Sequence, residues 1–498
     1  MPLSQLQPAS LWHYFSTICS IPHPSKHEEA LVAFILEEAD KFGVVAERDS
    51  IGNVKLSKPA SAGCEGAIPM VLQSHIDMVP QKNAGTEHEF ETDPIQAYVD
   101  GEWVTAKGTT LGADNGIGVA AILAVMFAQD IEHGPIEALL TVDEEAGMTG
   151  AFELKEDWFA GKLLLNLDTE EEGELYVGCA GGVDVNIRWP VALVNTDHTT
   201  SEALKISVTG LKGGHSGIDI HKGRGNANKL LNRVLLMLSQ QMDVGIADFQ
   251  GGTLRNAIPR EAFATIVISK DAKPQLDTLM SSIVDDIDDE YSFVESDLSI
   301  DLSNTEMPSS VMDQQATQGL LHAILACPNG VLRNSDRFDG VVETSSNLGI
   351  VSMESADENP ASKGDAFVSL KFMTRSLKDH ARDNAVQRIR SCFELIGAEV
   401  EATGAYPGWS PSENPALLES MQTVYQSLYG GVPNTQIIHA GLECGLLGAK
   451  YPHWDMISFG PTITGAHSPD ERVNIPSVAK FWDYLIATLK HFSSKETL

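Results

Sequence analysis

The chain has 498 residues and carries 34 Lys and Arg against 69 Asp and Glu, a formal net charge of −35. That length exceeds what one hydrophobic core supports, so two or three domains are expected. A polyanion of this strength repels phosphate backbones, which argues against nucleic acid and anionic membranes as partners.

No apolar run approaches the length of a membrane span. The start, "MPLSQLQPASLWHYF", lacks a basic segment followed by an apolar one, so a cytoplasmic location is expected. Cys19, Cys64, Cys179, Cys327, Cys392 and Cys444 are scattered without CxxC spacing. They read as free, reduced thiols.

The first ~185 residues alternate helix and strand patterns. "PASLWHYFSTICSI" and "SKHEEALVAFILEEADKFG" repeat apolar residues at helical spacing, and Ser25 with Glu28 fits a capping box. "IPMVLQSHIDMV" and "IEALLTVDEE" are short apolar strands, "KLLLNLDTEEEGELYVG" offers another, and "NGIGVAAILAVMFAQD" is a buried helix. Near-continuous apolar strands alternating with helices predict an α/β layer with a largely parallel sheet.

From about residue 189 the pattern changes. "ALKISVTGLKGGHSGIDIHKGRGNANKLLNRVLLMLSQ" is strand, glycine-rich loop and helix. "GGTLRNAIPREAFATIVISK" reads as two strands about an Ile-Pro turn, followed by the helical "QLDTLMSSIVDDI". A similar block follows: "GVVETSSNLGIVSM", a polar break at "ESADENPASKGD", "AFVSLKFMTRSL" and the helix "DNAVQRIRSCFELIG". Two hairpin-plus-helix units predict an α+β insert of two related halves. After about residue 400 the α/β character returns. The expected domains are a catalytic domain at 1–188 and 401–498, interrupted by a lid at 189–400.

Several polar residues fall just past apolar strands, where open α/β sheets gather ligands. His75 and Asp77 in "QSHIDMV" are two apart, so in a strand both point to one face. His75 can offer a ring nitrogen to a metal, with Asp77 behind it fixing the ring. Asp114 stands where loop becomes helix in "TTLGADNGIG", a position otherwise suited to an N-cap. That glycine-rich stretch lacks the Lys-Ser/Thr of a phosphate loop, and its acid would repel phosphate. Glu144 and Glu145, then Asp168, follow two further strands, and His467 sits in the loop "FGPTITGAHSPDERV". Two imidazoles and three carboxylates suit a pair of divalent ions sharing one acid. Mixed N and O donors without sulfur point to Zn²⁺, with Mn²⁺ or Co²⁺ feasible. A carboxylate left off the metals would serve as general base.

The ordered motifs "CSIPHPSKHEE", "SHIDMVPQKN", "TTLGADNGIG", "DEEAGMTGAF", "VGCAGG", "LKGGHSG", "GGTLRNAIPREAFATI", "GAYPGW", "IIHAGLECG" and "SFGPTITGAHSPDERV" span nearly the whole chain. In these the chain resembles the M20 family of di-zinc peptidases, and within it the dipeptidases. The resemblance implies a zinc-exopeptidase-like catalytic domain, its largely parallel mixed sheet flanked by helices, plus an inserted α+β lid domain. It also implies two Zn²⁺ per subunit, replaceable by Co²⁺ or Mn²⁺. His75 and Asp168 would bind one ion, Glu145 and His467 the other, and Asp114 would bridge them. Asp77 would orient His75, and Glu144 would be the general base for a metal-activated water. A cis peptide is expected at Asp114–Asn115.

On the lid, the resemblance makes His215 of "LKGGHSG" the donor to the tetrahedral oxyanion. Asn256 and Arg375 would bind substrate, the arginine as a clamp for a free α-carboxylate. The implied activity is cytosolic hydrolysis of free dipeptides over a broad Xaa-Xaa range, including Xaa-His substrates such as carnosine, and the implied assembly is a homodimer. Alternatives are an N-acyl amino-acid deacylase or carboxypeptidase with the same metals, or a metal- or peptide-binding protein without catalysis. Glu443 receives no role.

Overall fold

The apolar run at residues 68–79 forms the strand Met70–His75, every residue of which is buried. It lies near the middle of an eight-stranded sheet with the order Val45–Arg48, Val54–Lys58, Ile136–Thr141, Met70–His75, Leu163–Asn166, Asp455–Ser458, Glu174–Cys179, Asn434–Ile438. Ile136–Thr141, Met70–His75, Leu163–Asn166 and Asp455–Ser458 run parallel, whereas the pairings of Val54–Lys58 and Glu174–Cys179 onto them are antiparallel. Parallel strands bring their carboxyl ends to one edge, and the residues that follow them share that edge. In this computed structural model, residues 2–355, 366–412 and 416–494 are described.

The chain forms two units. Met1–Cys179, Trp409–Ile437 and Leu442–Leu498 make the first, and Ala180–Gly408 with Ile438–Gly441 the second. In the first unit the helix Ala113–Phe127 is buried along its length except at Asp114, as its apolar sequence demands. Helices Ala9–Ser20, Ala416–Tyr429 and Ile475–Phe492 supply apolar stripes to the same core. A small antiparallel sheet joins Ala97–Asp100, Trp103–Ala106, Arg472–Asn474 and Ile463–Thr464.

The second unit is α+β. Its nine-stranded sheet runs Ser299–Asn304, Ser201–Thr209, Ala262–Ser269, Gly245–Gly251, Val342–Ser355, Ala366–Ser376, Gly181–Val191, Glu399–Tyr406, with Gly330–Asn334 paired off Val342–Ser355. Helices Ala227–Ser239, Lys273–Tyr291, Gln314–Ala326 and Asp379–Glu394 pack on it through residues such as Leu231, Ile283, Leu320 and Phe393.

Two similar halves are present, each strand–helix–strand–strand–helix–strand apart from the extra strand Gly330–Asn334 in the second, and they are joined edge to edge at Gly251 and Val351. Within each half the spatial order of its four strands is the same, read from opposite ends of the sheet. The halves are not consecutive in the chain. Gly181–Val191 is the first strand of the second half, and the whole first half is inserted after it. The sequence-based boundaries at 188/189 and 400/401 therefore fall inside Gly181–Val191 and Glu399–Tyr406, strands that pair with each other.

The stretch "GGTLRNAIPREAFATIVISK" does hold a strand on each side of Ile258-Pro259, but the first is only Ala257–Ile258 and pairs with Gly214–His215. The antiparallel partner of Ala262–Ser269 is the preceding strand Gly245–Gly251. A bulge between Ile246 and Asp248 breaks the alternation there, so Ile246 and Phe249 are buried at odd spacing and the period-2 signal fails. Most of the polar break "ESADENPASKGD" lies outside the described residues. All six cysteines are free thiols. No described helix is long and apolar enough to cross a membrane.

Candidate metal centre

His75 closes its strand with the ring 1% exposed. Its Nδ1 lies 3.1 Å from the Asp77 carbonyl oxygen and 3.3 Å from Asp77 Oδ1. Asp77 is itself held from several sides: Oδ1 accepts the backbone N–H of Glu144 at 3.0 Å, and Oδ2 accepts Glu145 N–H at 3.1 Å and Ser25 Oγ at 2.8 Å. The expected Ser25–Glu28 capping box is thus not formed. The helix begins at Glu29, and the Ser25 hydroxyl is committed to Asp77 instead.

Glu144 and Glu145 leave the strand Ile136–Thr141 through Asp143, whose φ of 55° and ψ of 41° are left-handed. A single helical turn, Glu144–Gly147, follows. The turn is made before the acid pair, by Asp143. Neighbours in a strand would point to opposite faces; on a helical turn both can serve one site.

Asp114 is not an N-cap. The buried carboxylate of Glu471 accepts the N–H groups of Leu111, Gly112, Ala113 and Asp114 at 2.7, 3.0, 2.8 and 3.2 Å. Those amides are satisfied, and the Asp114 side chain is released from capping. The Asp114–Asn115 peptide is cis. Asn115 Nδ2 donates to the Leu167 carbonyl at 2.8 Å and to Asp168 Oδ1 at 2.6 Å, holding the third strand end against the helix start.

The two oxygens of Asp114 face different partners. Oδ1 lies 3.3 Å from His75 Nε2, and Oδ2 lies 3.3 Å from His467 Nε2. His75 Nε2 is also 3.3 Å from Asp168 Oδ1, and His467 Nε2 is 3.1 Å from Glu145 Oε2. One carboxylate therefore stands between two imidazole–carboxylate pairs.

These separations are long for charge-assisted hydrogen bonds, which run about 2.7–2.9 Å. They are close to the edge of a tetrahedron built on bonds of about 2.0–2.1 Å, roughly 3.3–3.4 Å. Glu145 keeps Oε1 buried without a hydrogen-bond partner among the described residues. His75, Asp114 and Glu145 each place one ligand atom within 4.8 Å of the others. Donor chemistry, spacing and the orphaned oxygen all fit divalent cations.

Electrostatics follow from this crowding. Burial pulls the His75 pKa down, but Asp168, Asp114 and Asp77 hold it well above the usual imidazole value. Burial, reinforced by Asp114 and Glu145 and opposed by His75, pushes Asp168 up to about 6. Glu144 is raised well above the carboxylate range by burial and by the charges of Asp168, Glu443 and Glu145, against the pull of His75.

The remaining expected site residues lie in the second unit. His215 pairs with Ala257 in a two-stranded antiparallel sheet, and Ser216 N–H donates to the Asn256 carbonyl at 2.8 Å, so His215 and exposed Asn256 are neighbours. His215 Nδ1 accepts the N–H groups of Gly217 and Ile218 at 3.2 and 3.0 Å, which leaves the proton on Nε2. Burial and then Arg375 lower its pKa to about 4, so the ring is neutral. Arg375 is buried between Ser345 and Gly182 on adjacent strands, and its Nη1 donates to Tyr406 Oη at 2.8 Å across the bare glycine. Its Nε has no hydrogen-bond partner among the described residues.

A family model described as peptidase family M20/M25/M40 matches residues 71–491. The chain belongs to this family. As an M20 peptidase it is 48% identical over 495 residues, 99% of each chain, to the cytosol non-specific dipeptidase of Escherichia coli (strain K12). Its structure matches the crystal structure of aminoacylhistidine dipeptidase from Vibrio alginolyticus with a TM-score of 0.89 and 47% identity, covering 98% of both chains. The M20 metallo-carboxypeptidase Sso-CP2 of Sulfolobus solfataricus shares the fold at a TM-score of 0.52 and 14% identity, covering 97% of this chain and 99% of the other.

Glu471, Asn115 and Ser25 are supporting residues of this M20 peptidase that sequence reasoning did not find. Glu471 shares a motif with His467 but acts on amides some 360 positions earlier in the chain, and no local pattern reports such a contact.

Proposed function

We propose that this M20 peptidase is a cytoplasmic metallodipeptidase of broad Xaa-Xaa range, Xaa-His peptides such as carnosine included, acting as a homodimer. The observation that carries the reading is the placement of Asp114 between the His75–Asp168 and His467–Glu145 pairs. His75 and Asp168 would hold one cation, Glu145 and His467 a second, with Asp114 shared. Zn²⁺ suits these donors, and Co²⁺ or Mn²⁺ could replace it. When bound, the cations supply Lewis acidity toward the scissile carbonyl. The dipeptide scope is supported by the two relatives that share nearly half of their residues with the chain over its full length.

In this reading Asp77 keeps His75 oriented while its carboxylate anchors the turn that carries Glu144. Glu144 takes a proton from the attacking water as the C–O bond forms. It delivers that proton to the amine nitrogen as the C–N bond breaks. His215, protonated at Nε2, would donate to the developing oxyanion. Arg375, with an unengaged Nε–H, would pair with the substrate's α-carboxylate, and Asn256 would add a polar contact.

A panel of free dipeptides, N-acetyl amino acids and longer peptides tests the reading. Turnover confined to free dipeptides is the expected result. Turnover of N-acetyl amino acids with none of dipeptides would assign the chain as a deacylase instead.

A further inference from the structure

Glu443 takes no part in the chemistry above, yet it is fully buried at the start of the helix Glu443–Lys450. Its Oε2 accepts Gln73 Nε2 at 2.6 Å and Thr141 Oγ1 at 2.7 Å, while Oε1 is buried without a partner among the described residues. Gln73, Asn166 and Ser458 stand side by side in register on three adjacent parallel strands. All three are fully buried. The row is bonded throughout: Asn166 Nδ2 donates to Gln73 Oε1 at 2.5 Å, Ser458 Oγ donates to Asn166 Oδ1, and the Thr169 and Ser458 hydroxyls meet at 2.6 Å.

This row has a direction, and Glu443 sets it. Glu443 Oε2 accepts from both Thr141 Oγ1 and Gln73 Nε2, so Gln73 turns its NH₂ toward Glu443 and its oxygen toward Asn166. Asn166 must then turn its own NH₂ toward Gln73 and its oxygen the other way. Ser458 gives its single proton to that oxygen, which leaves Thr169 to donate to Ser458. Every donor from Thr169 to Gln73 points toward Glu443. The Asn166 oxygen has a second task, accepting the backbone N–H of Asp168 at 3.3 Å. A reversed Asn166 would present an NH₂ to that N–H, and the Asp168 backbone would be pushed away.

We infer that Glu443 is a positioning residue: by terminating the row it fixes the Asn166 amide and thereby seats Asp168 at the metal centre. This rests on the reading of Asp168 as a metal ligand. Supporting groups of this kind typically alter metal affinity by roughly 10- to 100-fold.

The test titrates metal-stripped protein with Zn²⁺ against a chromophoric chelator and measures kcat and KM on a dipeptide. Glu443→Leu is expected to weaken Zn²⁺ binding by roughly 10- to 100-fold and lower kcat with little change in KM. The exchange Glu443→Gln with Gln73→Glu is expected to restore Zn²⁺ affinity to within about threefold of wild type, because a carboxylate at position 73 still accepts from Asn166. Wild-type affinity in folded Glu443→Leu, or an exchange variant no better than Glu443→Leu, would overturn the inference. Should Glu443→Leu not fold, the exchange variant decides alone, and a tenfold or greater loss there overturns it. Asp168→Asn is the control: if it retains full Zn²⁺ affinity, the ligand reading fails rather than the role of Glu443.

Discussion

Asp77 Oδ1 accepts the backbone N–H of Glu144 at 3.0 Å while lying 3.3 Å from His75 Nδ1. One buried carboxylate thus links the end of a central strand to the turn that bears the proposed base. Its other oxygen takes the Glu145 N–H and the Ser25 hydroxyl, so the placement of three site residues converges on Asp77.

Replacing Asp77 with Asn puts an NH₂ against at least one of those donors. Asp77→Asn is expected to reduce affinity for Zn²⁺ by roughly 10- to 100-fold, the usual range for a group behind a metal ligand. Chelator competition on the metal-stripped protein measures it, and Ser25→Ala is expected to show a smaller loss in the same assay.

Glu144 touches the proton and not the metals in this scheme. Glu144→Ala is expected to lower kcat by roughly 10²- to 10⁴-fold while the metal content stays that of wild type. Elemental analysis beside steady-state kinetics separates it from Glu145→Ala, for which metal content itself falls.

Glu471 accepts four consecutive amides from within the core. Removing it leaves buried N–H groups unsatisfied, each costing about 1–3 kcal/mol. Glu471→Leu is expected to lose at least about 3 kcal/mol of unfolding free energy by urea denaturation of the metal-free protein. Glu471→Gln, which retains one accepting oxygen, should fall between that variant and wild type.

The strands and the buried helix of the first unit were legible because each is apolar along its length, and parallel strands buried on both faces leave that imprint. The acids that the structure brings together were legible as candidates because each stands two to four residues past such a strand or at a helix start. The supports were not. Glu471 and Asn115 act across distant segments, and Ser25 fits a local cap as well as it fits Asp77. In the second unit the strand Gly245–Gly251 was hidden by its bulge, and the insertion of one half after Gly181–Val191 leaves no mark in composition.

His439 gives a pH dependence that lies within the second unit. Burial first, then Arg375, with smaller contributions from His215 and His221, lowers its pKa to about 3, against the Val342 backbone, which raises it. Ser345 Oγ lies 2.8 Å from its Nε2. The unfolded value is near 6.5, so between pH 6.5 and 3 the unfolded chain binds a proton that the folded chain refuses. The contribution is intact above pH 6.5 and is lost as pH falls toward 3, by up to about 1.4 kcal/mol per pH unit. Denaturation curves at pH 7 and pH 5 are expected to show a smaller acid-induced loss in His439→Gln than in wild type. Equal losses would show that the ring does not titrate in this way.

The placement of Asp114 between two imidazole–carboxylate pairs is tested most directly by calorimetric titration of the metal-stripped chain with Co²⁺. The expected result is two equivalents per chain in wild type, loss of affinity at both in Asp114→Asn, and loss at one in either Asp168→Asn or Glu145→Gln. A single equivalent in wild type, or an Asp114→Asn variant that keeps one site at full affinity, would contradict a carboxylate shared between two cations.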